Sequence, residues 1–229
     1  MRTERVESHT FLSHPLGPNS VVLDCGSNRG LFSRWIVENL GCQVHGFEPD
    51  PRFYERLPHE LPRCTFHPYA VSDARRTTTL HLGESLCSSL KFSESNAATV
   101  EVEALTLEGF CDEHGVAFVD LLKLDVEGEE LPILEALSPE FVRDRVGQMT
   151  IEFHDHKDAS ARPRIEKIME RIRGFGLHVY PMSRHTYGDV VVVNPAHVAF
   201  GPEERARLVA LKYTRGIRRA IGRRLGTYP

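Results

Sequence analysis

Apolar positions along the chain fall into short runs, broken by glycine- or proline-bearing turns, that alternate with stretches of helical spacing. Val21-Val22-Leu23-Asp24-Cys25 is the first strong run, followed by the turn Gly26 to Gly30 and the amphipathic stretch Leu31 to Leu40. The pattern predicts a strand, a tight loop and a helix. Gln43 to Phe47 predicts a second strand ending in Glu48-Pro49-Asp50-Pro51, and flanking prolines delimit a short helix over Arg52 to His59. Cys64 to Tyr69 reads as a third strand. Thr77 to Leu82 and Thr99 to Ala104 show the β-branched alternation of paired strands, so a β-hairpin insertion is expected within Ala74 to Glu103. Phe118 to Leu124 is nearly continuous and apolar, as in a strand buried on both faces of a parallel sheet. Helices are expected over Leu107 to His114, Glu129 to Leu137 and Arg162 to Gly174, a strand over Gly147 to Phe153, and a closing pair over Leu177 to Tyr180 and Asp189 to Asn194. Strands alternating with helices predict an α/β fold, a mostly parallel sheet with right-handed crossovers and antiparallel character at its C-terminal edge.

The 229 residues suit one core, and 41% hydrophobic with 26% charged residues excludes a disordered or fibrous chain. The pattern divides into an N-terminal extension (1–20), a domain (21–200) and a C-terminal segment (201–229). Met1 to Ser20 lacks the apolar stretch of a secretory signal and no long apolar run follows, so a soluble, cytoplasmic protein is expected. The five cysteines show neither paired nor zinc-site spacing and read as reduced thiols. The net charge of −4 conceals an asymmetry: eight Lys/Arg against two acids from Gly201 onward give that segment +6. Glu203 to Leu225 reads as one cationic amphipathic helix, suited to packing on its own domain or to peripheral contact with an anionic membrane. The segment lacks Phe and Trp, which weighs against nucleic acid.

Asp24-x-Gly26-x-Asn28-x-Gly30 lies where a parallel strand meets a helix, a place where glycines let backbone approach a polar cofactor closely. The spacing is neither the dinucleotide fingerprint nor the triphosphate-binding loop. Glu48 ends the next strand, roughly 20 residues on, where a carboxylate can accept hydrogen bonds from a ribose diol. Ligands of such sheets bind outside the carboxyl ends of the strands, so Asp24, Glu48, Ser72, Asp73 and Asp125 are expected to converge there.

Four ordered blocks resemble the FkbM family of S-adenosylmethionine-dependent methyltransferases: Val22 to Gly30, Gly46-Phe47-Glu48-Pro49-Asp50, Ala70-Val71-Ser72-Asp73, and Leu122 to Glu129. Ile151-Glu152-Phe153-His154 is a looser fifth. The resemblance implies a Rossmann-like class I methyltransferase fold with a seven-stranded sheet, helices on both faces and an antiparallel C-terminal edge strand. It implies S-adenosyl-L-methionine as cofactor and a hydroxyl on a small molecule, sugar or glycosylated product as acceptor. Asp24 and Gly26 would shape the methionine side of the pocket, Glu48 would hold the ribose and Ser72 with Asp73 would border the adenine, with Ser27, Asn28, Gly30 and Pro49 as further cofactor-binding residues. Asp125 would face the amino-acid end.

Strand alternation puts Lys123, Asp125 and Glu127 on one face, which reads either as a structural salt-bridge set or as a catalytic, substrate-orienting cluster. Glu152 and His154 end the neighbouring strand, so convergence with Asp125 and Glu127 is expected. His154 is a candidate general base; the run Glu152, His154, Asp155, His156 is alternatively a divalent metal site, and a hydrogen-bonded loop histidine is the remaining reading. Acceptor specificity is assigned to loops such as Gly83 to Ala98. Rival functions are a cofactor-binding but catalytically silent module and a nucleotide-sugar or nicotinamide enzyme.

Overall fold

The computed structural model describes residues 3–83, 88–91, 98–155, 157–183 and 185–224, with side chains through residue 214. Its strands are β1 (Thr3–Val6), β2 (His9–Leu12), β3 (Val21–Cys25), β4 (Gln43–Phe47), β5 (Cys64–His67), β6 (Tyr69–Val71), β7 (Arg76–Leu82), β8 (Ala98–Leu105), β9 (Leu121–Leu124), β10 (Gln148–Ile151), β11 (His178–Pro181) and β12 (Val190–Val193). The helices are α1 (Leu31–Leu40), α2 (Pro51–Tyr54), α3 (Leu107–Glu113), α4 (Glu130–Ala136), α5 (Pro139–Asp144), α6 (Arg162–Gly174) and α7 (Pro202–Arg224).

Seven strands make one sheet in the order β11-β12-β10-β9-β3-β4-β5. The five from β10 to β5 run parallel, while β12 is antiparallel to both of its neighbours. The antiparallel strand therefore lies one place in from the C-terminal edge, and β11 closes it. The chain runs β3 to β4 to β5 in one direction, then crosses back to place β9 on the other side of β3, so the switch point where such sheets bind ligands falls at the ends of β3 and β9. Pro68 lacks an N–H and breaks the expected third strand into β5, in this sheet, and β6. β6 joins β8 and β7 in a separate three-stranded sheet built on the β7–β8 hairpin insertion. Helix α5 lies outside the sequence expectations; its start is fixed by Pro139 and by the Ser138 hydroxyl, which accepts from the Phe141 N–H.

The two faces of the sheet differ in chemistry. On one, Leu23, Leu122, Leu124, Met149 and Ile151 pack against α3, α4, α5 and α6 in the main apolar core. On the other, Val22 and Leu121 meet Phe32 and Ile36 of α1, but the intervening positions Asp24, Lys123, Gln148 and Thr150 are polar and buried. The β1–β2 hairpin covers Gln148 and Thr150, while Ser33 and Phe32 of α1 lie against Asp24 and Lys123. Residues 1–20, read from sequence as an extension, thus include a hairpin that is integral to the sheet's packing. Phe11 is fully buried beside Phe32 and Trp35. The Leu12 N–H donates to Gln148 Oε1 and Gln148 Nε2 donates to the Leu12 carbonyl, both at 2.9 Å. The Thr10 N–H and hydroxyl donate to the Asp189 carboxylate at 3.1 and 2.7 Å.

Helix α7 docks beside this hairpin through Leu208, which is buried with Leu12, Val191, Val193 and Phe200. The packed reading of the C-terminal helix holds for this half; the side chains of Arg215 and of the basic positions beyond it lie outside the described residues. Among the described residues no helix is long and apolar enough to cross a membrane.

Gly26 sets how closely the ends of β3 and β9 approach. Its φ is +84°, and a Cβ there would lie 1.8 Å from the Asp125 carbonyl oxygen. Gly26→Ala is expected to cost about 3 kcal/mol or more, because neither backbone can yield without parting the strands. Urea denaturation measures it; a variant as stable as the parent would contradict this account of the strand-end approach.

Candidate active site

The loop after β3 is tied down before it can meet a ligand. The Gly26 and Ser27 N–H groups both donate to the Phe47 carbonyl, at 3.0 and 2.9 Å, which joins the ends of β3 and β4. Asn28, at φ +50°, then turns its own N–H to Glu48 Oε2 at 2.7 Å. Glu48 Oε1 accepts from the Asp50 N–H at 3.0 Å. Burial pushes the Glu48 carboxyl up to about 7, against these two N–H groups, which favour its charged form. A buried carboxyl with lone pairs remaining suits hydroxyl donors.

A cavity opens at these strand ends. Gly26, Asn28, Glu48 and Pro49 line one side, Asp125, Val126, Glu127 and Glu129 another, and Phe53, Tyr69, Leu80 and Leu90 supply an apolar wall. The β7–β8 insertion therefore furnishes part of the pocket. Of the segment Gly83 to Ala98, Ser88 and Leu90 reach the cavity, while residues 84–87 and 92–97 lie outside the described residues.

Several sequence-predicted residues stand behind the wall. Asp24 is fully buried, accepts from the Ser33 hydroxyl at 2.6 Å and pairs with Lys123 Nζ at 3.0 Å. Lys123, 2% exposed, also donates to the Gly26 carbonyl at 2.8 Å and lies 3.6 Å from Asp125. Burial favours its neutral form, but Asp24 and Asp125 outweigh that and hold the ammonium above its usual value. Lys123 is a brace between strands, with no access to substrate. The Ser27 hydroxyl donates to the Asp24 carbonyl at 3.0 Å, and Gly30, at φ +70°, starts α1 in a slot closed by Leu57, Pro58 and Phe66. The Ser72 hydroxyl donates to Glu129, at 2.8 Å, and so positions a carboxylate that does line the cavity; Asp73 pairs with Arg76 at the surface.

The expected convergence of Asp125, Glu127, Glu152 and His154 takes a particular form. His154 Nδ1 faces Glu130 Oε1 at 3.0 Å, and Nε2 faces Glu127 at 3.1 Å and Asp125 at 3.6 Å. Burial alone would lower its pKa, yet the three carboxylates, Glu130 foremost, raise it to about 9. With a proton on each nitrogen, His154 is unsuited to act as a general base at neutral pH and serves to hold Asp125 and Glu127 in place. Asp125 is held well below the usual carboxylate range: burial works against this, and Lys123, His9 and His154 overcome it. Glu152 lies instead toward the hairpin, where it accepts from the Ser8 hydroxyl and lies 3.9 Å from His9 Nε2. One donor atom each from His9, Asp125 and Glu152 fall within 4.8 Å of one another, so His9 takes the place that the metal reading gave to His154. His156 lies outside the described residues.

Residues that sequence reasoning did not single out are His9, Glu129, Glu130 and the apolar wall. Glu130 had a local signal: in the first turn of α4, its carboxylate accepts from the Val126 and Gly128 N–H groups, as acidic residues at helix starts do.

A family model, the methyltransferase FkbM domain, matches residues 24–178. The chain belongs to this family. It is an S-adenosylmethionine-dependent methyltransferase. The chain is 26% identical to the 31-O-demethyl-FK506 methyltransferase FkbM of Streptomyces tacrolimicus, over 74% of this chain and 77% of that one. It is 24% identical to the 2-O-methyltransferase NoeI of Sinorhizobium fredii, over 77% and 80%. The AMB antimetabolite synthetase AmbE of Pseudomonas aeruginosa is 26% identical over 72% of this chain, which spans 10% of AmbE's length. The FkbM-type chain fits the cofactor by its donor set: the half-satisfied, buried Glu48 carboxyl for a ribose diol and the apolar wall for a purine.

The His154 cluster yields a pH signature. A folded-state pKa near 9, above the unfolded value of roughly 6.5, means that the stabilisation is fully present below pH 6.5 and lost as pH rises through 9. Urea denaturation between those limits should show the parent losing stability more steeply than His154→Gln. Parallel curves would mean that His154 is not charged in the folded protein.

Proposed function

We propose that this methyltransferase acts on a hydroxyl oxygen of a small molecule or glycosylated product, with Glu48 holding the ribose of S-adenosylmethionine and Asp125 meeting the acceptor. The observation that carries the reading is Asp125: a carboxylate residue lining the same cavity as Glu48, held ionised by Lys123, His9 and His154. The bound cofactor supplies an electrophilic methyl. The protein's task is then to align the acceptor oxygen and receive its proton. As the new C–O bond forms, that oxygen becomes strongly acidic, so a carboxylate suffices as proton acceptor where His154, already protonated, does not. Two relatives whose names specify O-methylation support a hydroxyl over other acceptors. The acceptor is the partner that we assign, with no nucleic acid; contact with an anionic membrane would fall to the basic helix α7 as a whole.

Calorimetry with S-adenosylhomocysteine tests the cofactor half. Glu48→Gln should weaken binding by roughly 10–100-fold, the equivalent of about 1.5–3 kcal/mol for hydrogen bonds to a charged group. Because the free enzyme's Glu48 titrates at about 7, parent affinity should fall as pH drops from 8 to 6, and the Gln variant should be flat. Tight binding of a nicotinamide dinucleotide in place of either adenosyl ligand would refute the assignment.

The acceptor half is read by formation of S-adenosylhomocysteine with a panel of methyl glycosides and alcohols. Asp125→Asn should lower turnover by roughly 10²–10⁴-fold. An Asn variant at full rate would remove Asp125 from the reaction, and a parent that binds cofactor but turns over no hydroxyl compound would favour a silent binding module.

A further inference from the structure

The N-terminal hairpin lies outside the segment that the family model matches, yet its turn delivers Ser8 and His9 to the carboxyl ends of β9 and β10. We propose that this hairpin is a working part of the acceptor site, with His9 as the positioning residue that aims the Asp125 carboxylate into the cavity; the proposal rests on the role given to Asp125 above. His9 has no solvent exposure and both of its nitrogens are engaged. Nε2 lies 3.2 Å from Asp125 Oδ2, and Nδ1 lies 3.4 Å from the Thr150 hydroxyl. With Thr150 donating to Nδ1, Nε2–H is left to donate to Asp125, and the ring's orientation is fixed edge-on against Phe32 at 5.8 Å. His9 cannot touch an acceptor itself, so it acts through Asp125.

The hairpin does not need His9 to stay docked. Phe11 in the core, Leu12 on Gln148 and Thr10 on Asp189 anchor it independently. A histidine that served packing alone would have no reason to place a nitrogen on the one cavity carboxylate already held by Lys123 and His154. Asp125 keeps 26% side-chain exposure, and the residue lines the cavity. Lys123 fixes its charge from below; His9 fixes its direction from the hairpin side.

The experiment compares the full-length parent with His9→Phe, which keeps a ring against Phe32 and loses both nitrogens, and His9→Asn, which can restore a donor. Thermal denaturation checks folding, calorimetry with S-adenosylhomocysteine checks the cofactor site, and methyl transfer to whichever methyl glycoside the parent accepts is the activity readout. His9→Phe should fold, bind S-adenosylhomocysteine within about threefold of the parent, and lose roughly 10–100-fold in kcat with KM little changed, as misaligned groups do; His9→Asn should recover part of the loss. Crystal structures of parent and His9→Phe with S-adenosylhomocysteine give a second readout that needs no acceptor: the Asp125 carboxylate should turn away from its parental orientation. Three results would overturn the proposal: unchanged turnover or an unmoved Asp125 in His9→Phe; loss of S-adenosylhomocysteine binding in step with activity; or abolition of parental activity by chelation with rescue by Mg²⁺ or Mn²⁺, which would make His9, Asp125 and Glu152 metal ligands. A parent that binds no adenosyl ligand fails the function proposed above, and the orientation of Asp125 in crystals of the unliganded parent and His9→Phe then decides this one.

Discussion

A single ammonium group, that of Lys123, sits where the sheet's two central strands end, and the site is arranged around it. An unpaired charge at 2% exposure would be prohibitive, so Asp24 on β3 and Asp125 after β9 are both drawn to it. Those contacts lock the ends of the strands together, and the Gly26 carbonyl completes the cage. The loop that follows Gly26 therefore leaves the sheet from a rigid origin, and the Asn28 N–H can be aimed at Glu48. The Glu48 and Asp125 carboxylates thus inherit their positions from one buried ion set, although neither Lys123 nor Asp24 reaches the cavity.

Charge states on the two sides of the cavity diverge for the same physical reasons. Glu48 has neutral N–H donors and little exposure, so burial dominates and its carboxyl titrates near neutrality. Asp125 is also poorly solvated, but cationic and donor groups surround it and it stays ionised. Two carboxyls on one cavity are suited by environment alone to different tasks: one accepts neutral hydroxyls, the other provides a fixed negative charge.

Much of this was legible in sequence, where the information was local. Period-two alternation ending in Asp24, Glu48 or Asp125, with a glycine turn after the first, is enough to place three carboxylates at neighbouring strand ends. The placement of β12 between β10 and β11 was not legible, because an apolar run such as Val190 to Val193 fits an inner or an outer position equally well. The protonation of His154 depends on Glu130, which reaches it from a helix start that strand alternation does not address. The polar positions on the second face, Gln148 and Thr150, make sense only with a cover in place, and the pairing of His9 with Asp125 joins segments 116 residues apart. Residues 1–20 carry no motif that would announce it.

That cover has a consequence for how the enzyme comes into being. Thr10 bonds to Asp189 across 179 residues of sequence, and Leu12 to Gln148 across 136. The hairpin leaves the ribosome well before these partners, which follow it by more than a hundred residues. Closing so long a loop is entropically expensive and slow. Until then Gln148 and Thr150 lack their cover and Asp125 lacks the His9 nitrogen that meets it. The shape of the site is thereby coupled to synthesis of β10 and Asp189: a nascent chain that stops before β10 holds Asp24, Glu48 and Asp125 and lacks Gln148 and Asp189, which seat the hairpin.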